Sequence, residues 1–196
     1  MLNYESQYKL PVNLAGVDEA GRGPLAGPVI ASAVILRRPD FLEGLNDSKK
    51  VSQPLRKMLF DQICDNALSW GIAIVGVETI SKINILQSAL LAMRQAVEKL
   101  TVTPSFLLID GNHKIDSPLK QRTLIKGDSL SRNIAAASIL AKVTRDRIML
   151  DYHHQYPQYR FDRHKGYGTV LHRDLIRQHG PCPIHRKTFR GVKEYL

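Results

Sequence analysis

The sequence predicts an α/β protein: a five-stranded mixed sheet flanked by helices, with a helical C-terminal extension. Three observations lead there. Five short apolar runs are bounded by acids or turn residues, helical apolar patterns fall between them, and helical patterning dominates the C-terminal half.

In chain order, residues 14–17 form an apolar run that stops at two acids and a glycine-rich turn, and residues 29–36 are rich in β-branched and small apolar side chains. They read as two strands joined through Gly21, Gly23, Pro24 and Gly27. Residues 69–77 read as a third strand, 106–109 as a buried fourth ending at Asp110-Gly111, and 122–125 as a fifth stopping at Gly127-Asp128. Three of the five thus end on acids. Helices are predicted over 54–67, with Ser52 as its cap, and over 83–100, where apolar residues recur at three and four. From Ser131 onward, Ile134, Ala135, Ala136, Ala137, Ile139, Leu140, Ala141 and Val143 mark a small-residue helix able to pack closely on a sheet. With neither repeats nor a low-complexity linker, residues 1–196 read as one domain, with 151–196 as a basic helical lobe.

The 196 residues are 43% hydrophobic, which suits one compact core. Lys and Arg number 28 against 18 Asp and Glu, a formal +10 with a pI near 9.8. A polyanionic partner is the natural inference, although a basic pI also serves plain solubility. Residues 151–196 hold nine Lys or Arg, four Asp or Glu and six of the seven histidines, with Tyr152, Tyr156, Tyr159 and Tyr167 among them. Interleaved basic and aromatic side chains suit a surface that tracks phosphates and stacks on sugars or bases. Two cysteines, Cys64 and Cys182, are too few for a disulfide framework and fit a reducing compartment. Residues 1–10 lack an apolar signal core, and no stretch approaches the roughly 18 apolar residues that span a bilayer. The expectation is a cytoplasmic monomer without membrane association.

Asp18 and Glu19 follow one apolar run, Asp110 another and Asp128 a third, so four acids are predicted to converge at neighbouring strand ends. Clustered carboxylates raise one another's pKa unless cations compensate, and hard oxygen ligands of this charge suit Mg²⁺ or Mn²⁺. Two such ions about 3.5–4 Å apart can activate an attacking water and stabilise the leaving oxygen of a phosphodiester. Adjacent strand residues face opposite sides, so Asp18 and Glu19 share a site only if the chain turns there, which Gly21 and Gly23 allow. Any one of these acids alone would read as a solvated turn residue.

Residues 16–28, GVDEAGRGPLAGP, resemble the signature of the bacterial type 2 ribonucleases H, the ribonuclease HII family. Residues 45–50 (LNDSKK), 107–112 (LLIDGN), 126–128 (KGD), 135–146 (AAASILAKVTRD) and 164–169 (HKGYGT) look like the family's later blocks, in its order. The resemblance covers nearly the whole chain. It implies an RNase H-like fold with a helical C-terminal region, and it makes Asp18, Glu19, Asp110 and Asp128 the catalytic ligands of Mg²⁺ or Mn²⁺. It also assigns recognition of the ribose 2′-hydroxyl to Gly21, Arg22, Gly23 and Tyr167. Glycines let backbone groups approach the sugar closely, and a 2′-hydroxyl, both donor and acceptor, separates RNA from DNA. The implied activity is hydrolysis of the RNA strand of RNA/DNA hybrids and incision on the 5′ side of ribonucleotides embedded in duplex DNA. It leaves a 3′-hydroxyl and a 5′-phosphate.

Lys49, Lys50, Ser138 and Lys142 are candidates for phosphate contacts, which fix register without reading sequence, although lone lysines are usually solvated. Asp146 reads as an ion-pair or cap partner. His179, Cys182 and His185 have a short His-x-x-Cys-x-x-His spacing, but zinc would need a fourth ligand, with His172 the nearest, and Pro181 and Pro183 restrict the loop. Residues 186–196 are basic with apolar Val192 and Leu196, compatible with docking to a replication protein and read here as packing. Two alternatives stand beside the enzyme reading. One is a noncatalytic nucleic-acid-binding module of the same fold, whose mark would be a lost carboxylate. The other is a type 3 ribonuclease H, which carries an extra N-terminal domain for which the 13 residues before the first strand are too few.

Overall fold

The computed structural model describes residues 4–11, 13–37 and 52–196. After a single helical turn, α1 (Tyr4–Gln7), strands β1 (Leu14–Ala20) and β2 (Val29–Ile35) form an antiparallel pair. Helix α2 (Gln53–Asn66) and β3 (Ser69–Val75) follow, then α3 (Val77–Glu98), β4 (Phe106–Asp110) and β5 (Gln121–Leu124). The long helix α4 (Arg132–Gln155) leads to the short α5 (Phe161–His164) and to α6 (Val170–His179). The strand order is β3-β2-β1-β4-β5, with β1, β4 and β5 parallel to one another and β2 antiparallel to both its neighbours.

The pleat explains why β2 reads as an unbroken apolar run. Val29, Ala31, Ala33 and Ile35 point to α3 and meet Ala89, Ala92, Met93 and Ala96, while Val34 points to α2 and α4 and meets Leu59, Ile63, Ala136 and Leu140. A central strand buried on both faces loses the polar alternation of a half-exposed one. On β1 the same parity sends Ala15 and Val17 toward α3, and Leu14 toward α4, where it packs with Leu108 and Ile134. Asp18 shares that second face. Alanines at 135–137 and 141 are fully buried, which lets α4 lie close against the sheet.

Element ends differ from the sequence reading in instructive ways. Strand β1 runs through both acids to Ala20, so the turn follows Asp18 and Glu19 instead of parting the chain at them. Helix α3 starts at Val77, six residues before its predicted start, and is broken at Asn84, whose φ of 65° is left-handed. The Asn84 side chain accepts the Gln87 amide at 3.1 Å, so the 83–100 pattern found the second helical segment and its cap. Ser52 occupies the N-cap position of α2, but its side chain makes no capping hydrogen bond.

The aromatic residues of the C-terminal region are not all surface groups. Tyr159 is buried against Phe161 and His185, and its hydroxyl donates to the Gly180 carbonyl at 2.6 Å. This corrects its place on the predicted stacking surface: a tyrosine with a satisfied hydroxyl is a core residue. The His-x-x-Cys-x-x-His spacing has an equally local cause. His185 Nδ1 accepts the Cys182 amide at 2.9 Å, which leaves its Nε2 to donate to His172 Nε2 at 3.1 Å, and His172 Nδ1 then donates to the Tyr167 carbonyl at 2.9 Å. Each nitrogen in this relay has one role only if the rings are neutral. Burial pushes His172 down to about 3 and His185 to about 4, which keeps them so. No helix among the described residues is long and apolar enough to cross a membrane.

Replacing Tyr159 by Phe removes the Gly180 bond and nothing else. Urea unfolding should register a loss of about 1 kcal/mol, with the duplex cleavage that the sequence resemblance implies unchanged. A slower cut at unaltered stability would return Tyr159 to the substrate surface.

Candidate active site

Parallel pairing aligns Val17 with Ile109, so the next residues, Asp18 and Asp110, fall side by side on the same face, Asp110 at the end of β4 and Asp18 two residues before the end of β1. Strand β5 pairs Leu124 with Asp110, and the chain then enters a single 3₁₀ turn, Gly127–Ser129, that carries Asp128. The Gly127 amide donates to Asp110 Oδ1 at 2.7 Å and ties that turn to β4. Asp18 Oδ1 in turn accepts the amide of Glu19 at 2.7 Å. The carboxyl ends of parallel strands are where open α/β sheets place ligands.

The residues gathered there line one cleft of about 310 Å³: Asp18, Glu19, Ala20, Gly21, Arg22, Gly23, Asp110, Asp128, Ser138, Lys142 and Tyr167. The sequence reading named all but Ala20. Lys49 and Lys50, its remaining candidates, lie outside the described residues. Two cavities of larger volume, one beside α3 with Leu90, Arg94 and Asp116, the other beside α6 with Arg173, Arg177 and Arg190, hold no comparable carboxylate cluster.

Asp18 is 5% exposed and Asp128 8%, so both sit in a recess poor in water. Burial first, then the Glu19 and Asp110 carboxylates, push the Asp18 carboxyl well above the usual carboxylate range, with Asp128 adding to the effect. Burial also raises Glu19, against the pull of Arg22, whose guanidinium lies 3.4 Å from Glu19 Oε1. Among the described residues, no three His, Cys, Asp or Glu side chains are drawn together into a ready metal site. The four acids share the cleft, and burial together with their mutual repulsion disfavours the charged form of Asp18. Their chemistry nevertheless fits a hard divalent cation: the donors are carboxylate oxygens alone, and the charged form of Asp18 is disfavoured until positive charge arrives.

The opposite wall belongs to α4 and the 164–169 loop. Lys142 is held by Asp146 at 2.6 Å, and Asp146 also faces Arg56 at 3.7 Å, so the ammonium is fixed at the cleft instead of swinging into solvent. Tyr167 is 42% exposed, with the Arg145 guanidinium 5.6 Å and the Lys142 ammonium 5.9 Å from its ring centre.

The two glycines of the turn are glycine for different reasons. Gly21 has φ +102°, and a Cβ there would lie 2.4 Å from Arg145 Nε. At Gly23 a Cβ would meet nothing within 4 Å, and its φ is not left-handed. Packing therefore demands Gly21, while the space before Gly23 is open.

Arg145 and Arg186 were missed. Both are fully buried and bind the backbone of the turn from behind. Arg145 carries a signal in hindsight, since it falls on the buried stripe Ala141, Arg145, Met149 at four-residue spacing. Arg186 carries none, because it lies in an irregular segment.

Acids near the carboxyl ends of parallel strands, facing a lysine, a tyrosine and a glycine turn on a β3-β2-β1-β4-β5 sheet, form the arrangement expected of the ribonuclease H class from the sequence resemblance. Comparison with known proteins narrows the class. The sequence profile described as ribonuclease HII matches residues 15–192. The chain is 54% identical to ribonuclease HII of Syntrophotalea carbinolica over 183 residues, 93% of this chain and 88% of that one. It is 52% identical to that of Idiomarina loihiensis, covering 93% and 98%. The chain belongs to the ribonuclease HII family and is an endonuclease, a phosphodiester hydrolase of type 2 and not type 3. Solved structures share the fold: ribonuclease H2 from Pyrococcus horikoshii, with TM-score 0.78 at 24% identity, covers 93% of this chain and 96% of that one. The Archaeoglobus fulgidus RNase HII in its complex with PCNA gives 0.77 at 24% identity, covering 90% and 95%. Bst-RNase HIII in complex with Mn²⁺ gives 0.68 at 18%, covering 93% and 68%.

Two outcomes follow. Gly21→Ala should cost about 1–3 kcal/mol through its backbone angle and the Arg145 clash, whereas Gly23→Ala should unfold within about 0.5 kcal/mol of wild type and still cut slowly, because its methyl group occupies the open cleft. Equal melting losses in the two variants would refute the distinction. The second concerns pH. Asp18 binds its proton more tightly folded than unfolded, so metal-free stability drains away as pH rises from near 3.8 through the raised folded value. The stability gap between Asp18→Asn and wild type should therefore widen in favour of the variant as metal-free samples are melted from pH 4 toward neutrality. Adding Mg²⁺ or Mn²⁺ should close it, and a pH-independent gap would contradict the electrostatic account.

Proposed function

We propose that this endonuclease hydrolyses the RNA strand of RNA/DNA hybrids and incises duplex DNA on the 5′ side of an embedded ribonucleotide, leaving a 3′-hydroxyl and a 5′-phosphate. The reading is carried by one observation: four carboxylates and the Gly21-Arg22-Gly23 turn line the same cleft, so a ribose bound at the turn holds its phosphate over the acids.

In this reading Asp18, Glu19, Asp110 and Asp128 hold Mg²⁺ or Mn²⁺ by a two-metal-ion arrangement; when bound, the ions acidify the attacking water and stabilise the leaving oxygen. Raised acids are prepared for that role, since metal charge replaces the proton that burial favours. Open space at Gly23 admits the sugar edge, where backbone groups of the turn can meet the 2′-hydroxyl. Tyr167, with two cations of α4 against its ring, forms a wall against which the sugar is positioned. Arg22 pairs with Glu19 and restrains it beside the reacting phosphate. Lys142 and Ser138 supply a cation and a hydroxyl from α4 for adjacent phosphates, and Lys49 and Lys50 join them as the sequence suggests. A formal charge of +10 adds long-range attraction to a duplex. Docking to a replication protein through the tail would use Tyr195 and Leu196, which are exposed, whereas Val192 is buried and unavailable.

The decisive assay offers a duplex carrying one ribonucleotide in a DNA strand, with Mg²⁺, Mn²⁺ or chelator. Incision 5′ of the ribonucleotide that disappears with chelator is expected; absence of metal-dependent incision would sink the proposal. Asp128→Asn should keep duplex affinity and lose at least about a hundredfold in rate, the scale of the several kcal/mol a metal contributes. Full activity in that variant would remove Asp128 from the site.

A further inference from the structure

The buried face of the glycine turn is built from two guanidiniums. Arg186 donates to the carbonyls of Gly21 (2.5 Å), Arg22 (2.8 Å), Gly27 (3.0 Å) and Pro28 (3.3 Å). Arg145 donates to those of Ala26 (3.1 Å) and Pro28 (3.3 Å). Neither side chain is exposed at all, and neither forms a carboxylate ion pair among the described residues. Arg145 keeps one terminal nitrogen, Nη1, buried without a partner. Two cations buried side by side repel each other, and burial together with Arg145 pushes Arg186 down to about 9. Apolar groups in this space would leave the carbonyls of Gly21, Ala26, Gly27 and Pro28 without these donors, so the turn and the guanidiniums depend on each other.

What the guanidiniums achieve is orientation. Every peptide bond described here is trans, so a carbonyl and the amide that follows it point in opposite directions. Holding the Gly21 carbonyl inward turns the Arg22 amide outward, and holding the Arg22 carbonyl inward turns the Gly23 amide outward. Outward is the cleft, where the space before Gly23 is empty of protein atoms. Main-chain bonds pin the same brace to the opposite wall. The Leu25 amide donates to the Gly166 carbonyl, the Gly27 amide to that of Ile184 and the Arg186 amide to that of Leu25, at 2.8–2.9 Å.

We propose that Arg186, assisted by Arg145, is a positioning residue that sets selectivity for the ribose by aiming the Arg22 and Gly23 amides at the 2′-oxygen. This rests on the reading of the turn given under Proposed function. Neither arginine touches the substrate; they act through the backbone they hold. Lysine in place of Arg186 keeps the charge but cannot reach four carbonyls with a planar fork.

The test compares duplexes whose single ribonucleotide bears 2′-hydroxyl or 2′-fluoro, a far weaker acceptor, with wild type, Arg186→Lys, Arg145→Lys and the surface control Arg147→Lys. Wild type and R147K should cut the hydroxyl substrate with the same preference over the fluoro one. R186K should shrink that preference by about tenfold and lower kcat by about ten- to hundredfold, with KM for the duplex within about threefold. R145K should show a smaller loss of the same kind, and decides the matter if R186K does not fold. A folded variant that retains the wild-type preference overturns the role of the arginines while leaving the ribose reading intact. Equal cutting of both substrates by wild type overturns the ribose reading, and this inference with it.

Discussion

The parallel pairing of β1 with β4 places two carboxylates side by side near the carboxyl ends of two inner strands, and much of the rest of the molecule answers that placement. Backbone register leaves no choice, since Val17 opposite Ile109 makes Asp18 and Asp110 neighbours. Sheet hydrogen bonds and the packing of α3 and α4 hold them there against mutual repulsion. The strain shows as a proton retained by Asp18 beyond the usual carboxylate range. Ionising Asp18 there costs the protein stability, a compromise of the kind that functional centres carry.

The other half of the site uses the opposite charge in a different way. Arg145 and Arg186 are as buried as any aliphatic side chain, but they are spent on backbone carbonyls instead of on acids. Acids and arginines therefore sit on the two sides of one turn without neutralising each other. The turn keeps the two buried guanidiniums behind the backbone and the carboxylates in the cleft, while Arg22, half exposed at 47%, pairs with Glu19.

The C-terminal region has a supporting part that its basic composition hid. Its buried histidines are neutral hydrogen-bond relays, running from the Cys182 amide through His185 and His172 to the Tyr167 carbonyl. One end of that relay is the segment that delivers Arg186; the other is the tyrosine that walls the cleft. Histidine suits this task because one ring accepts and donates in fixed opposite directions.

The five strands, the long small-residue helix and the four acids could be read directly from the chain, because each leaves a local trace: an apolar run, a period, an acid where the run stops. Glycines 21 and 23 were also visible, but not the difference between them, which depends on what stands 4 Å away and in which direction. Tyr159 and Tyr167 looked alike for the same reason, though one is buried in a cluster of rings and the other opens on the cleft. Arg186 lies 165 residues from Gly21, and no pattern of composition or spacing links a basic residue in an irregular tail to a carbonyl near the first strand. Local periodicity reports which residues a strand or helix must bury; the partner that satisfies a buried polar group comes from elsewhere in the chain and is settled when the layers close on one another.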